Sequence, residues 1–104
     1  MMDFQEFIHK AISVRKLYEK FETEKFGSPW TIEELTLGFV GDVGNLAKLV
    51  MAENGRRTIP DSKIKLAHEL ADCLWSILVL ANIHNIDLEK AFLDTMNDHF
   101  LFCI

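Results

Sequence analysis

The sequence predicts an all-α fold, a four-helix bundle completed by oligomerisation. Apolar residues recur at three- and four-residue spacing in four segments, the periodicity of helices with one buried face. Capping patterns open these segments, and glycine, proline or asparagine clusters close them. Over the whole chain glycine and proline are sparse, five and two in 104 residues, which disfavours a turn-rich β architecture. A chain of this length makes one domain, taken as residues 1–104. Its 49% hydrophobic and 26% charged residues are the composition of a globular protein.

The first helix opens at Asp3-Phe-Gln-Glu6, which has the form of a capping box. Phe4, Phe7, Ile8, Ala11, Ile12, Val14 and Tyr18 carry its apolar face to about Glu24, and Gly27-Ser-Pro29 ends it. Thr31-Ile-Glu-Glu34 is a full capping box for the second helix, expected to run to about Glu53 and stop at Asn54-Gly55. That helix holds Gly38, Gly41 and Gly44, each costing up to about 1 kcal/mol relative to alanine. Their common side implies a closely approaching neighbour, either a packed backbone or a nucleotide-sized ligand. The third helix should start near Asp61 or Ser62, either able to cap it, and continue to about His84. Its second half, Leu74-Trp-Ser-Ile-Leu-Val-Leu-Ala, is apolar on nearly every side, so more than one neighbour must cover it, including a second subunit. Asn85 suits a left-handed helix end, and Asp87 caps a fourth helix bearing Leu88, Ala91, Phe92, Met96 and Phe100.

Eleven basic and sixteen acidic residues give a net charge of −5, which argues against binding to intact nucleic acid. Met1-Met-Asp-Phe-Gln-Glu lacks the basic start and apolar core of a signal peptide. The longest apolar run, Cys73 to Ile83, is interrupted by Ser76 and Asn82 and is too short for a bilayer, so no membrane association is expected. Cys73 and Cys103 read as small apolar fillers, and a reducing cytoplasm is the expected location.

Two helical segments each carry a pair of oxygen-bearing side chains three residues apart: Asp42 with Asn45, and Glu69 with Asp72. Such pairs share one helix face, so two packed helices would gather four oxygen ligands. This set suits a hard cation such as Mg²⁺, with Mn²⁺ as an alternative, whose remaining ligands come from phosphate. Asp42 also takes a slot in the stripe Leu35, Phe39, Asp42, Leu46, Leu49 where the pattern asks for an apolar residue. Buried carboxylates are costly unless paired or bound to metal. The competing reading is a set of edge carboxylates paired with Lys48 or Lys65.

These segments, Trp30-Thr-Ile-Glu-Glu, Gly41-Asp-Val-Gly-Asn-Leu-Ala-Lys-Leu-Val, His68-Glu-Leu-Ala-Asp-Cys-Leu-Trp and Asn85-Ile-Asp-Leu-Glu-Lys-Ala-Phe, resemble the all-α MazG-like nucleotide pyrophosphohydrolases over roughly Trp30 to Met96. The family signature is E-x-x-E, a gap, then E-x-x-D, its four acids holding Mg²⁺. Glu69 and Asp72 match the second half, Asp42 replaces the first Glu, and Asn45 stands where the family has an acid. The resemblance implies the fold of the all-α NTP pyrophosphatases and hydrolysis of (d)NTP to (d)NMP and pyrophosphate. It also implies nucleotide-pool house-cleaning and assembly as a homodimer or dimer of dimers.

On that footing Asp42, Glu69 and Asp72 are the expected catalytic acids, with Asn45 joining them around the metal. Glu34 and Glu53, two and three turns from Asp42, are reserve candidates. Lys48 and Lys65 are the expected phosphate contacts, with Lys63, Arg56 and Arg57 behind them, and Trp30 could stack on the base or staple its helix start. His68 is a surface residue or a support for the site. An amide at Asn45 can ligate Mg²⁺ but adds no charge and cannot act as a base, so a degenerate, weakly active or merely nucleotide-binding relative is the alternative. A di-iron bundle is disfavoured because neither acidic motif ends in His.

Overall fold

The structure is a computed structural model and describes residues 3–103, whose regular elements are four helices with no strand among them. They are α1 (Phe4–Phe26), α2 (Ile32–Glu53), α3 (Ser62–Ile83) and α4 (Leu88–Cys103). Expectations for Met1, Met2, Ile104 and the Cys103 side chain lie outside what is described.

Each boundary has a local cause. Asp3 Oδ1 accepts from the Glu6 N–H at 2.9 Å and opens α1, which runs two residues past Glu24 before Gly27 closes it at φ +87°. Thr31 and Glu34 form both arms of the capping box of α2. Asp87 accepts from the Lys90 N–H at 3.1 Å and starts α4, and Asn85 leaves α3 with φ +56°. The start of α3 departs from expectation. Asp61 adopts a left-handed conformation and makes no side-chain cap; instead Ser62 donates from Oγ to Glu53 Oε1 at 3.0 Å, tying α3 to the end of α2.

The core lies where α3 packs on α1 and α2. Ala11, Leu78 and Val79 are buried, with Phe4, Ile8, Ile12, Leu35, Trp75, Ile83 and Leu88 packed around them. Trp75 donates its indole N–H to the Ala11 carbonyl at 3.0 Å and meets Tyr18 edge to face. The α2 stripe faces inward as its pattern requires: Leu49 is buried, and Leu35, Phe39, Asp42 and Leu46 are half-buried. Along α3, burial deepens from exposed Lys65 through Glu69 and Asp72 to Ser76 and Val79.

Much of the remaining apolar surface is uncovered, including Leu37 and Val40 on α2, Ile64 and Leu70 on α3, and Phe100, Leu101 and Phe102 on α4. The chain's own helices thus cover α3 only in part. Both α2 and α3 are long and apolar enough, by length and composition, to cross a bilayer, where the interrupted run Cys73 to Ile83 gave no such expectation. Asp42, Glu69 and Asp72 would then lie well inside the hydrocarbon, at a cost of a few kcal/mol each.

Candidate functional site

Packing of α2 on α3 turns the two pairs of polar side chains toward a common seam. Asp42, Glu69 and Asp72 are half-buried there, and Asn45 is exposed. Burial pushes the Glu69 carboxyl above its ordinary pKa, and the charges of Asp42 and Asp72 push it further, against a smaller pull from His68. Burial and the same three acids raise the Cys73 thiol. The three carboxylates therefore share one electrostatic neighbourhood. Within it, Glu69 Oε2 is shut away from water and has no hydrogen-bond partner. Asp72 has a neighbour in His68, whose exposed ring places Nε2 3.1 Å from Oδ2.

The seam separates two clefts of different chemistry. One, of about 570 Å³, is bounded by Arg15, Tyr18, Trp30 and Trp75 and takes in Asp42 and Asp72. The other, of about 470 Å³, is bounded by Lys48, Ile64, Lys65 and His68 and takes in Asn45 and Glu69. Trp30 is thus brought together with two of the acids, and Lys48 and Lys65 with the other oxygen ligands. The reserve acids are engaged elsewhere: Glu34 accepts from the Thr31 N–H at 3.0 Å, and Glu53 accepts from Ser62. Of the three α2 glycines, only Gly38 has a close neighbour, the Trp30 ring 3.5 Å from where a Cβ would stand; Gly41 and Gly44 face open space.

A family model for the MazG nucleotide pyrophosphohydrolase domain matches residues 30–98, about two thirds of the chain. The chain belongs to the MazG family. No curated protein matches it, and no solved structure does. The matched span starts at Trp30 and takes in both acidic pairs, Lys48 and Lys65. It leaves out α1, so the Arg15 and Tyr18 side of the aromatic cleft lies outside the matched segment.

MazG proteins are generally dependent on a divalent metal. Among the described residues no three His, Cys, Asp or Glu side chains converge closely enough to hold an ion by themselves. The donor set nevertheless fits a hard cation. All four candidate ligands present oxygen, Glu69 Oε2 lacks a partner, and the mutual repulsion of the acids would be relieved by positive charge. An incomplete cage is also what Mg²⁺ uses, since it keeps waters and binds through one or two carboxylates plus substrate phosphates.

The sequence reading missed Arg15 and Glu22, both buried in α1. They fall seven residues apart on the face that begins with Ala11, and that opposite-charge pair on a core stripe was the available signal.

Proposed function

We propose that this MazG protein is a Mg²⁺-dependent nucleoside triphosphate pyrophosphohydrolase, with Mn²⁺ as an alternative metal, converting (d)NTP and water to (d)NMP and pyrophosphate. Its role would be nucleotide-pool house-cleaning in the cytoplasm, as a homodimer or dimer of dimers. The observation that carries this reading is the acidic seam, with the unpartnered Glu69 Oε2, between a cleft lined by Tyr18, Trp30 and Trp75 and a largely apolar cleft that Lys48 and Lys65 border. A nucleobase suits the first, which Trp30, Tyr18 and Trp75 line with aromatic surface. Phosphates suit the second, where Lys48 and Lys65 supply positive charge. The scissile bond between the α and β phosphorus atoms would then lie over the acids.

In the reaction a water oxygen bonds to the α phosphorus, the bond to the bridging oxygen breaks, and pyrophosphate leaves with that oxygen. A bound divalent ion would polarise phosphoryl oxygens and acidify the water. Asp42, Glu69, Asp72 and the Asn45 carbonyl would hold it. One of the three carboxylates accepts the proton of the attacking water, and the lysines hold the departing phosphates in line.

Pyrophosphate release from a panel of dNTPs with Mg²⁺ tests this. Turnover by the wild type is expected, with a loss of ~100-fold or more in Asp72→Ala, the scale of removing one charge-stabilising group. Asn45 favours one other reading, a degenerate relative that binds nucleotide without cleaving it. In that case Mg²⁺ with dNTP raises Tm without product, and Asn45→Asp restores turnover.

A further inference from the structure

Two charged side chains of α1 are almost wholly buried, Arg15 at 5% and Glu22 at 7% exposure, and besides each other they bind both backbone polar groups of one residue. Glu22 Oε1 accepts from the Trp30 backbone N–H at 2.8 Å, and Arg15 Nη2 donates to the Trp30 carbonyl at 3.1 Å. Arg15 Nη1 donates to both Glu22 oxygens at 3.2 and 3.1 Å, which locks the two side chains to each other. Arg15 Nε faces Glu19 at 3.6 Å, so the guanidinium is oriented from a third side. The planar fork of arginine permits this simultaneous engagement; a lysine ammonium lacks the geometry.

A plain staple between α1 and the segment before α2 would require a contact, not both polar groups of one residue. The residue so held is Trp30, whose ring lies over Gly38, one helical turn before Asp42. The ring and both clasp residues bound the cleft that takes in Asp42 and Asp72. We infer that Arg15 and Glu22 are positioning residues for Trp30: holding its backbone N–H and carbonyl, on either side of its Cα, they fix the indole as the wall of the aromatic cleft. This rests on the reading of that cleft as the nucleobase site. Because the clasp neutralises itself, it contributes rigidity in place of charge, and an aromatic wall set in advance saves a bound ring the ordering entropy.

The test uses two variants. Arg15→Met/Glu22→Leu replaces the buried pair with apolar side chains, an exchange that is often neutral or stabilising to a fold, while removing the clasp. Arg15→Lys keeps a cation beside Glu22 but not the fork. Acrylamide quenching of Trp30, taken as the difference from a Trp30→Phe control, reads the indole directly; kcat and KM for pyrophosphate release read its use. The double variant is expected to retain Tm, to show increased Trp30 quenching, and to raise KM roughly tenfold with kcat within threefold. Arg15→Lys should fall between it and the wild type, and it decides the question if the double variant does not fold. Unchanged quenching, or increased quenching with unchanged KM, overturns the inference. If the wild type turns over no nucleotide, the nucleobase reading falls, and the clasp stands or falls on the quenching alone.

Discussion

A carboxyl oxygen held away from water with no partner, as Glu69 Oε2 is, leaves the metal-free chain carrying an uncompensated desolvation penalty. The pKa of Glu69 is raised in the folded state, by burial first and then by Asp42 and Asp72, so its protonated form is favoured by folding. The stability tied to that proton is fully present below the ordinary glutamate pKa and is lost as pH rises through the raised one. Removing the charge should therefore help at neutral pH. In EDTA, Glu69→Gln is expected to melt above the wild type at pH 7.5, with the difference vanishing below the ordinary glutamate pKa. Adding Mg²⁺ should raise Tm in the wild type and not in the variant, and differential scanning fluorimetry reads both. A lower Tm for the variant in EDTA at pH 7.5 would refute this account. Asp42 was legible as an inward acid because it interrupts a regular apolar stripe. Glu69's unpartnered oxygen was not, since periodicity places a residue on a face but does not count the donors that reach it.

At the scale of the helix, α2 carries Asp42 and Asn45 and begins immediately after Trp30. Its start is held by the reciprocal bonds of Thr31 and Glu34. Thr31→Ala should cost about 1 kcal/mol, measured by urea denaturation. It should also loosen the segment that the Arg15–Glu22 clasp holds from the other side. The helix ends were largely readable because capping and left-handed exits are local chemistry: Thr31, Asp87, Gly27 and Asn85 behave as their residue types dictate. Asp61 did not, because the turn leading into α3 sets its backbone at φ +54° and takes its side chain away from the helix N–H groups. The clasp lay beyond reach for a related reason. That Arg15 and Glu22 face inward follows from their spacing, but that they close on the backbone of Trp30, fifteen and eight residues onward, depends on the path of the chain through Gly27 and Pro29.

For the whole molecule, the relevant comparison is with a compact monomer. A 100-residue domain has a radius of gyration of about 13 Å, and this chain has 16.4 Å with extents of 51 × 39 × 30 Å. A monomer of 12.0 kDa exposes about 6,000 Å², and this chain exposes 8085 Å². The excess is of the order that obligate subunit interfaces remove, and exposed apolar residues on all four helices contribute to it. Light scattering after gel filtration is expected to give the mass of two or four chains. Leu37→Lys, on the uncovered face of α2, should lower that mass; a wild-type monomer would defeat the expectation. Which helices pack was legible from the stripes, but how much of α3 stays bare was not, because a pattern apolar on every side does not say whether the cover comes from the same chain.

The placement of the acids on a divide between two open hollows bears on what limits the rate. If the base sits on one side and the leaving diphosphate on the other, each product meets solvent through its own mouth, and neither waits for a flap to swing. Turnover should then be governed by bond making and breaking, and thickening the medium with sucrose should leave kcat unchanged.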